Sequence, residues 1–323
     1  MRVWTLVAAA LLLCAIGPAR AADAIRVAVQ KSGTVAWEIA TIKALGLDRA
    51  ANLDIQTTEL ATTDAGKIAL RGGEVDMVVS DWLWAMRERA FGDKLLFTPY
   101  STSLGAVVTA MDSPIRSLTD LENHSLGVAG GPLDKSWLMV RAAALKEGVD
   151  LAKKVRPAYG APPLLAEKLA QGELDAVLEY WPYVLDLERR GFRAAIDMAS
   201  VEKALGAKGP VAMTGYVFSE QFAKDHGDAL RRYLGAADEA RENLAGNPAL
   251  WAPIKARLHL TDESALDAYR ARYLAGVPKR PIREEIIDAQ ALYRAIAAVG
   301  GADLVGGAAE LDPALFFDPN GAR

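Results

Sequence analysis

The chain has 323 residues, 37 of them basic and 41 acidic, for a net charge of −4. That balance, without a basic run or interleaved aromatic and basic residues, excludes nucleic acid and anionic membranes as expected partners. A single cysteine, Cys14, leaves no disulfide framework.

The first element is a leader. Arg2 supplies positive charge, Leu6 to Gly17 is an uncharged apolar run, and Ala19-Arg20-Ala21 offers small residues at a cleavage site. This pattern predicts a secretory signal peptide cut after about Ala21, and so export to the periplasm. The run is too short to span a membrane and stay. Cys14 lies inside the apolar run behind Leu13, which is the wrong context for a lipid anchor. The mature chain from residue 22 then holds no cysteine, and its charge is 35 basic against 41 acidic residues, or −6. It has no thiol nucleophile and no thiolate metal site. A core must hold it, and about 300 residues of this kind usually fold as two lobes.

Strands and helices alternate from there. "IRVAVQ" (25–30) reads as a strand and "GTVAWEIATIKALGL" (33–47) as the helix after it. "LDIQTTEL" (53–60) is a second strand, and "TDAGKIALRGG" (63–73) is a helix that ends on paired glycines. "VDMVVS" (75–80) is a third strand and "LGAVVTAM" (104–111) a fourth. Residues 117–121 form a short capped helix before the strand "LGVA". "PPLLAEKLAQGELDAVLEYWPYV" (162–184) runs from helix through Gly172 to another strand. This alternation predicts an α/β chain with open, largely parallel sheets. No linker rich in Gly, Ser or Pro separates the parts.

Two stretches share a shape. "IALRGGEVDMVVSDW" (68–82) and "KLAQGELDAVLEYW" (168–181) each run from a helix end through Gly to a buried strand. Each ends on polar and aromatic residues: Asp81-Trp82, and Glu179-Tyr180-Trp181. Ligands of open α/β sheets bind beyond the carboxyl ends of the strands. Two such sheets facing each other would make a cleft lined from both sides.

"GEVDMVVSDW", "SLTDLENHSLGVAGG", "LAQGELDAVLEYWPYV" and "GYVFSEQFAKDHGDALRRYLGAADEARENLAGNP" together resemble a periplasmic substrate-binding protein. The likeness covers about residues 25–275. It is to the branch that serves ABC importers of sulfonates, taurine, nitrate-like anions and thiamine precursors. The resemblance implies a two-lobed periplasmic-binding-protein fold (type II). Each lobe is expected to be an open mixed sheet flanked by helices, with two crossing hinge strands between them. It places lobe 1 at 22–109 plus 217–323 and lobe 2 at 110–216, with crossings near Thr109 and Tyr216. It also implies a monomer that takes a small-molecule ligand, closes on it and meets an ABC permease in the inner membrane without inserting itself. No cofactor and no metal are expected.

In that architecture "GVAGGPLDKSWLMVRAAALKEG" (127–148) opens the second lobe with its turn facing the cleft. The backbone after Gly131, the helix dipole and Lys135 or Ser136 suit a sulfonate, carboxylate or phosphate. The competing reading is that Asp134 or Ser136 caps the helix and Trp137 packs in the core. The matching first-lobe turn offers Ser32, Gly33 and Thr34, with Trp37 one turn on. Ser80, Asp81 and Trp82 close the third strand, Glu179 and Trp181 the later one, and Thr214 opens "TGYVFS" (214–219).

Five of the six mature tryptophans fall near strand–helix junctions, and Trp251 lies elsewhere. Trp82 and Trp181 are the expected cleft liners. Flat rings suit a planar or cationic ligand. Lys31, Lys135 and Arg141 would attract an acid; Asp81 and Glu179 would repel it unless it also carried an amine. A taurine-like zwitterion fits, and so does a planar ring acid such as pyrroloquinoline quinone or a thiamine precursor.

Catalysis is not expected. His124, His226 and His259 are scattered, and no HExxH, GxSxG or P-loop occurs. "GVAGG" is not a dinucleotide fingerprint. A relative of this fold makes the thiamine pyrimidine with histidine and cysteine, and the mature chain has no cysteine. A periplasmic sensor would use the same fold. "GDALRRYLGAADEARENLAGNPALW", "DESALDAYRARYLAGV" (262–277) and "REEIIDAQALYRAIAAVGG" (283–301) read as amphipathic helices backing the first lobe. "ALFFDPNGAR" (314–323) reads as an extended, loosely fixed tail.

Overall fold

The computed structural model describes residues 21–30, 33–300 and 305–321. The expected signal peptide, apart from Ala21, and Lys31 and Ser32 lie outside them. Ten strands build two sheets of five. They are β1 (Asp23–Gln30), β2 (Leu53–Leu60), β3 (Met77–Asp81), β4 (Leu95–Ser101), β5 (Ala106–Ala110), β6 (Ser125–Ala129), β7 (Arg156–Gly160), β8 (Ala176–Glu179), β9 (Phe192–Asp197) and β10 (Thr214–Ser219). The first sheet has the order β2-β1-β3-β10-β4 and the second β7-β6-β8-β5-β9.

The two orders are the same arrangement twice. In the first sheet β1 pairs in parallel with β2 and β3, and β10 runs antiparallel to β3 and β4. In the second, β6 pairs in parallel with β7 and β8, and β5 runs antiparallel to β8 and β9. The repeated stretches therefore supply the central strand of each sheet, β3 and β8. Both sheets are mixed, each carrying one antiparallel strand beside its centre.

Pairing also corrects the lobe boundaries. "AVVTA" (106–110) lies wholly in the second sheet, where Ala106 stands opposite Glu179 and Asp197. "TGYVFS" lies wholly in the first, where Thr214 stands opposite Asp81 and Ser101. The chain thus crosses between sheets at 102–105 and at 206–213, not at Thr109 and Tyr216. Gly105 closes the first crossing because its backbone lies against β8: a Cβ there would stand 1.4 Å from the Glu179 carbonyl oxygen.

The C-terminal third straddles both lobes. The helix Gly227–Gly246 packs on the helix Val35–Leu45 behind the first sheet, as expected. The helix Ile282–Gly300 packs instead on Lys135–Lys146 and Met198–Leu205, beside the second sheet. It buries Ala289, Leu292, Tyr293 and Ile296 completely. The tail is not loose either. Phe316 packs on Phe97, Phe317 on Phe218, and the Phe317 N–H donates to the Phe97 carbonyl at 2.8 Å. The tail covers the open edge of β4, where unpaired backbone groups would otherwise face water. Among the described residues no helix is long and apolar enough to cross a membrane.

Carboxylates of that straddling helix hold the second crossing. Asp288 accepts the N–H groups of Lys208 and Gly209 at 3.1 and 3.2 Å, and Glu285 accepts that of Ala212 at 2.9 Å. Arg280 pairs with Asp288 at 2.7 Å. Glu202 is buried beside them with Oε1 unpartnered. Burial, helped by the charges of Glu285 and Asp288, pushes its carboxyl up to about 8.

An acid whose value is raised on folding holds its proton in the native state and loses it when unfolded. Stability then falls as pH rises from the ordinary 4.5 towards 8. Glu202→Gln, neutral at every pH, should flatten that decline. Urea unfolding at pH 5 and pH 8 is the check. The variant should gain at least about 1 kcal/mol on the wild type between the two, and parallel slopes would refute the assignment.

Candidate functional site

The carboxyl ends of β3 and β8 meet where the two lobes face each other. Each is followed at once by a helix, Trp82–Ala90 and Trp181–Arg189. Asp81 caps the first, accepting the Trp84 N–H at 2.8 Å. Tyr180 occupies the same position before the second and makes no side-chain cap bond.

The turn 130–136 completes the site. Asp134 Oδ1 accepts the N–H groups of Ser136 and Trp137 at 2.8 and 3.3 Å. The helix Lys135–Lys146 is thereby capped from within, and Trp137 lies buried in the core, as in the competing reading of this stretch. Two donors of the helix N-terminus are thus already taken. What the turn contributes is charge: Asp134 and Lys135 are both buried, 3.7 Å apart. The Tyr180 hydroxyl leans on Asp134 Oδ2 at 3.4 Å, and Lys135 Nζ sits 5.1 Å from the Tyr180 ring centre. Gly130 makes this approach possible. Its φ is +86°, and a Cβ would stand 2.3 Å from the Tyr180 hydroxyl and 2.8 Å from Asp134 Oδ2. Gly131 also has positive φ, +92°, but nothing lies within 4 Å of the added atom.

Charges from the two lobes interact here. Burial alone would push the Asp81 carboxyl up. The cations of Lys67, Lys135 and Arg87 and the Trp84 N–H outweigh burial and hold it below the usual carboxylate range. Lys67 also lies over the Trp84 ring at 5.3 Å. Glu179 is different. It is 1 % exposed, and neither carboxyl oxygen has a hydrogen-bond partner. Burial is the main cause that pushes it up to about 9, and the negative charge of Asp134 adds to it. The Tyr180 N–H eases the shift without reaching hydrogen-bond geometry. Ser80 Oγ is likewise buried and unpartnered.

The other expected residues lie around this centre. Gly33 sits in the turn after β1, its N–H bonded to Gln30. Thr34 precedes the next helix without capping it and shares a 2.7 Å hydrogen bond with the Tyr100 hydroxyl. Thr214 donates to the Ser101 carbonyl at 3.1 Å. Ser32 and Lys31 fall outside the described residues. Trp82 is fully buried, its ring 6.5 Å from that of Tyr293 in the core, with Nε1 unpartnered. Arg141 lies over the Trp137 ring at 6.0 Å.

Trp37 and Trp181 form an aromatic lip between the lobes, centres 6.1 Å apart and nearly perpendicular. Trp251, expected elsewhere, joins Trp37 at 6.2 Å. Tyr269 and Tyr273 complete the cluster at 5.9 Å from Trp181 and 5.8 Å from Trp37. The two tyrosines stand four apart on one face of the helix Glu263–Ala275, a spacing that shows a shared face but not what it packs against. These rings pack against one another, which leaves little free face for stacking a planar ligand. Lys67 was likewise unmarked, since its helix precedes β3 and approaches Asp81 only through the packed fold.

Three comparisons bear on the arrangement. A family model described as NMT1/THI5 like matches residues 43–250. A search of curated proteins finds no match. Among solved structures, the chain is similar to the alkanesulfonate-binding protein SsuA from Xanthomonas axonopodis pv. citri bound to MOPS. The identity is 18 %, the match covers 91 % of this chain and 98 % of that one, and the TM-score is 0.73. The periplasmic aliphatic sulphonate binding protein SsuA from Escherichia coli is similar at 18 % identity, 88 % and 94 % coverage and a TM-score of 0.69. The desulfurization enzyme DSZB is similar at 13 % identity, 88 % and 93 % coverage and a TM-score of 0.58. At such identities the likeness is one of fold.

The two turn glycines should respond differently to substitution. Gly131→Ala carries backbone strain alone, about 1 kcal/mol. Gly130→Ala adds the clash with Tyr180 and Asp134 and should cost about 2–3 kcal/mol. Chemical denaturation of both variants tests this, and equal losses would remove the steric role assigned to Gly130.

Proposed function

The chain belongs to the NMT1/THI5-like family, and from that premise we propose that it is an exported solute-binding receptor of an ABC importer. It captures a small organic ligand between its lobes in the periplasm and presents the closed form to the permease. The observation that carries this reading is the convergence of β3 and β8 on one interlobe site. There Ser80 and Glu179 keep buried polar atoms without a protein partner. Buried polar atoms are nearly always satisfied, so a set left open where two lobes meet marks a place for a ligand. Contacts drawn from both lobes would favour the closed arrangement over the open one.

An organic acid is the favoured ligand. Lys67 and Lys135 act on the same half-buried Asp81 and supply positive potential from opposite lobes. The names of the two SsuA proteins, alkanesulfonate- and aliphatic sulphonate-binding, support a sulfonate. A planar ring acid is the weaker choice, because the lip rings are engaged with each other. A sensor that closes in the same way differs only in the partner that reads the closed form.

Binding without chemistry is the simpler reading even though one structural neighbour is an enzyme. The histidines stand away from the strand ends described above. His124 faces Asp175 at 3.4 Å, His226 stacks on Phe222, and His259 occupies a turn with φ of +53°.

Tryptophan fluorescence of the mature chain tests the proposal, because Trp37, Trp181 and Trp251 lie at the lobe junction. Titration with taurine, ethanesulfonate and a thiamine pyrimidine should give a saturable one-to-one change with at least one compound. Small-angle scattering should show compaction at saturation. Trp181→Ala should weaken the response at least tenfold, about 1.4 kcal/mol. A folded chain silent and unchanged in size with every compound would sink the receptor reading for these ligand classes.

A further inference from the structure

Two helices from different lobes lie side by side. The helix Glu263–Ala275 packs on the first lobe, where Leu266 and Tyr273 join Trp37 and Leu244. The helix Trp181–Arg189 follows β8 in the second. Two polar contacts tie them together. The Tyr269 hydroxyl donates to the Pro182 carbonyl at 3.0 Å, and Arg189 pairs with Asp262 at 3.1 Å. Seven residues separate Asp262 from Tyr269, and seven separate Pro182 from Arg189. Each spacing is about two helical turns, so each pair shares one face of its helix. The crossed order, 262 with 189 and 269 with 182, sets the helices antiparallel. The other end of the first helix is anchored on the first crossing. The Thr102 N–H donates to the Gly276 carbonyl at 2.8 Å and the Ser103 hydroxyl to the Arg272 carbonyl at 3.1 Å. Its 13 residues span about 20 Å, so one rigid element reaches from a crossing to the opposite lobe.

Tyr269 carries more than packing requires. Its ring is buried against Trp181 and Trp37, with centres 5.9 and 6.4 Å away. A phenylalanine would fill that place as well. The hydroxyl is taken out of water there and needs a partner. Among the described residues its only hydrogen bond crosses to the other lobe. Asp262 is also engaged twice. One oxygen caps its own helix through the Ala265 N–H at 2.7 Å, and the other meets Arg189. That ion pair is part-exposed, so its share is small. Both contacts form only when the lobes meet.

We propose that the helix Glu263–Ala275 is a latch that holds the two lobes together before any ligand arrives, with Tyr269 as its catch and the first crossing as its pivot. The contact needs no solute, because every group in it belongs to the chain. Its use rests on the receptor reading above. A receptor already held shut loses less of its binding free energy to closure. A solute must in turn wait for the latch to open, so the latch slows its entry and its exit.

Dipolar spectroscopy of a spin-labelled pair reads the spacing of the lobes directly and without ligand. The chain from residue 22 has no cysteine, so Ile68→Cys and Leu164→Cys, exposed and one on each lobe, give two unique labelling sites. In this background the spacing found in the structure should dominate. Tyr269→Phe keeps the ring and removes the catch, and Arg189→Gln removes the ion pair. Together they should shift the ratio of short to long spacings about tenfold towards long, with far-UV circular dichroism unchanged. Arg270→Gln is the control. It lies on the same helix but bonds the Ala245 carbonyl of the first lobe at 2.9 Å, and it should leave the spacing as it is. A ligand-free wild type found mostly at longer spacings overturns the latch. So does a double variant that keeps the wild-type spacing, or an Arg270→Gln shift as large as theirs. None of these results bears on the receptor reading, which stands or falls with the fluorescence titration.

Discussion

The site depends on charge matching between two turns that belong to different sheets. Asp81 ends β3 and Lys135 follows the glycine turn after β6, and the cation of one helps to hold the half-buried carboxyl of the other ionised. Water is scarce there, so each charge is felt more strongly than at a surface, and an unmatched one is correspondingly costly. Lys67 and Arg87 share the work of balancing Asp81 from the first lobe, and Asp134 steadies Lys135 from the second. Separating the lobes would return these groups to water at modest loss. Bringing them together without a partner for Glu179 leaves a carboxyl that must stay protonated. In the proposed receptor, a ligand that satisfied this carboxyl would remove that cost and so favour the arrangement in which the lobes meet.

The rest of the molecule sets how far such a motion can go. The crossings at 102–105 and 206–213 are short, and both are bound to the C-terminal helices. Thr102 donates to the Gly276 carbonyl at 2.8 Å, and Asp288 and Glu285 hold the N–H groups of the second crossing. The helix Ile282–Gly300 packs against the second-lobe helices, while Tyr293 on its buried face reaches Trp82 of the first. The closure proposed for a receptor would therefore turn about crossings backed by these helices, with the aromatic lip as its far contact. Arg189 and Asp262, 3.1 Å apart at its rim, are exposed enough for water to replace either partner.

What the sequence disclosed and what it concealed divide along burial. The central strands β1, β3, β6 and β8 were legible because both of their faces are covered and they read as apolar runs. Three of the four edge strands, β4, β7 and β9, were not. β4 contains Pro99, β7 is the polar "RPAYG" with Pro157, and β9 is half exposed, so their local pattern resembles loop. The internal repeat located the central strands and the residues after them correctly. The crossings were displaced because an apolar strand next to a boundary does not say which sheet it joins, and only pairing decides that. The placement of Asp81, Glu179 and Trp181 at strand ends, and of Lys135 after the glycine turn, was legible from the sequence. Lys67, Trp251, Tyr269 and Tyr273 were not, because they arrive from elements distant in sequence. The helix Ile282–Gly300 was misplaced for a related reason: its amphipathic stripe shows that one face is buried, not against which lobe.

A fold shared by two sulfonate-binding proteins and a desulfurization enzyme cannot by itself name a ligand or exclude a reaction. The discrimination lies in a few side chains beyond the carboxyl ends of the central strands. Their backbone positions are set by the sheets, and their chemistry is free to vary. Here that chemistry is mixed: two lysines from opposite lobes, two acids already satisfied, and one acid that is not. A cleft for a plain anion needs no third carboxyl, and one for a flat ring would keep an aromatic face open. A buried glutamate with both oxygens idle is costly in any protein that does not use it. It ends the central strand of the second sheet as Asp81 ends that of the first, and so stands among the side chains whose chemistry the sheets leave free to vary.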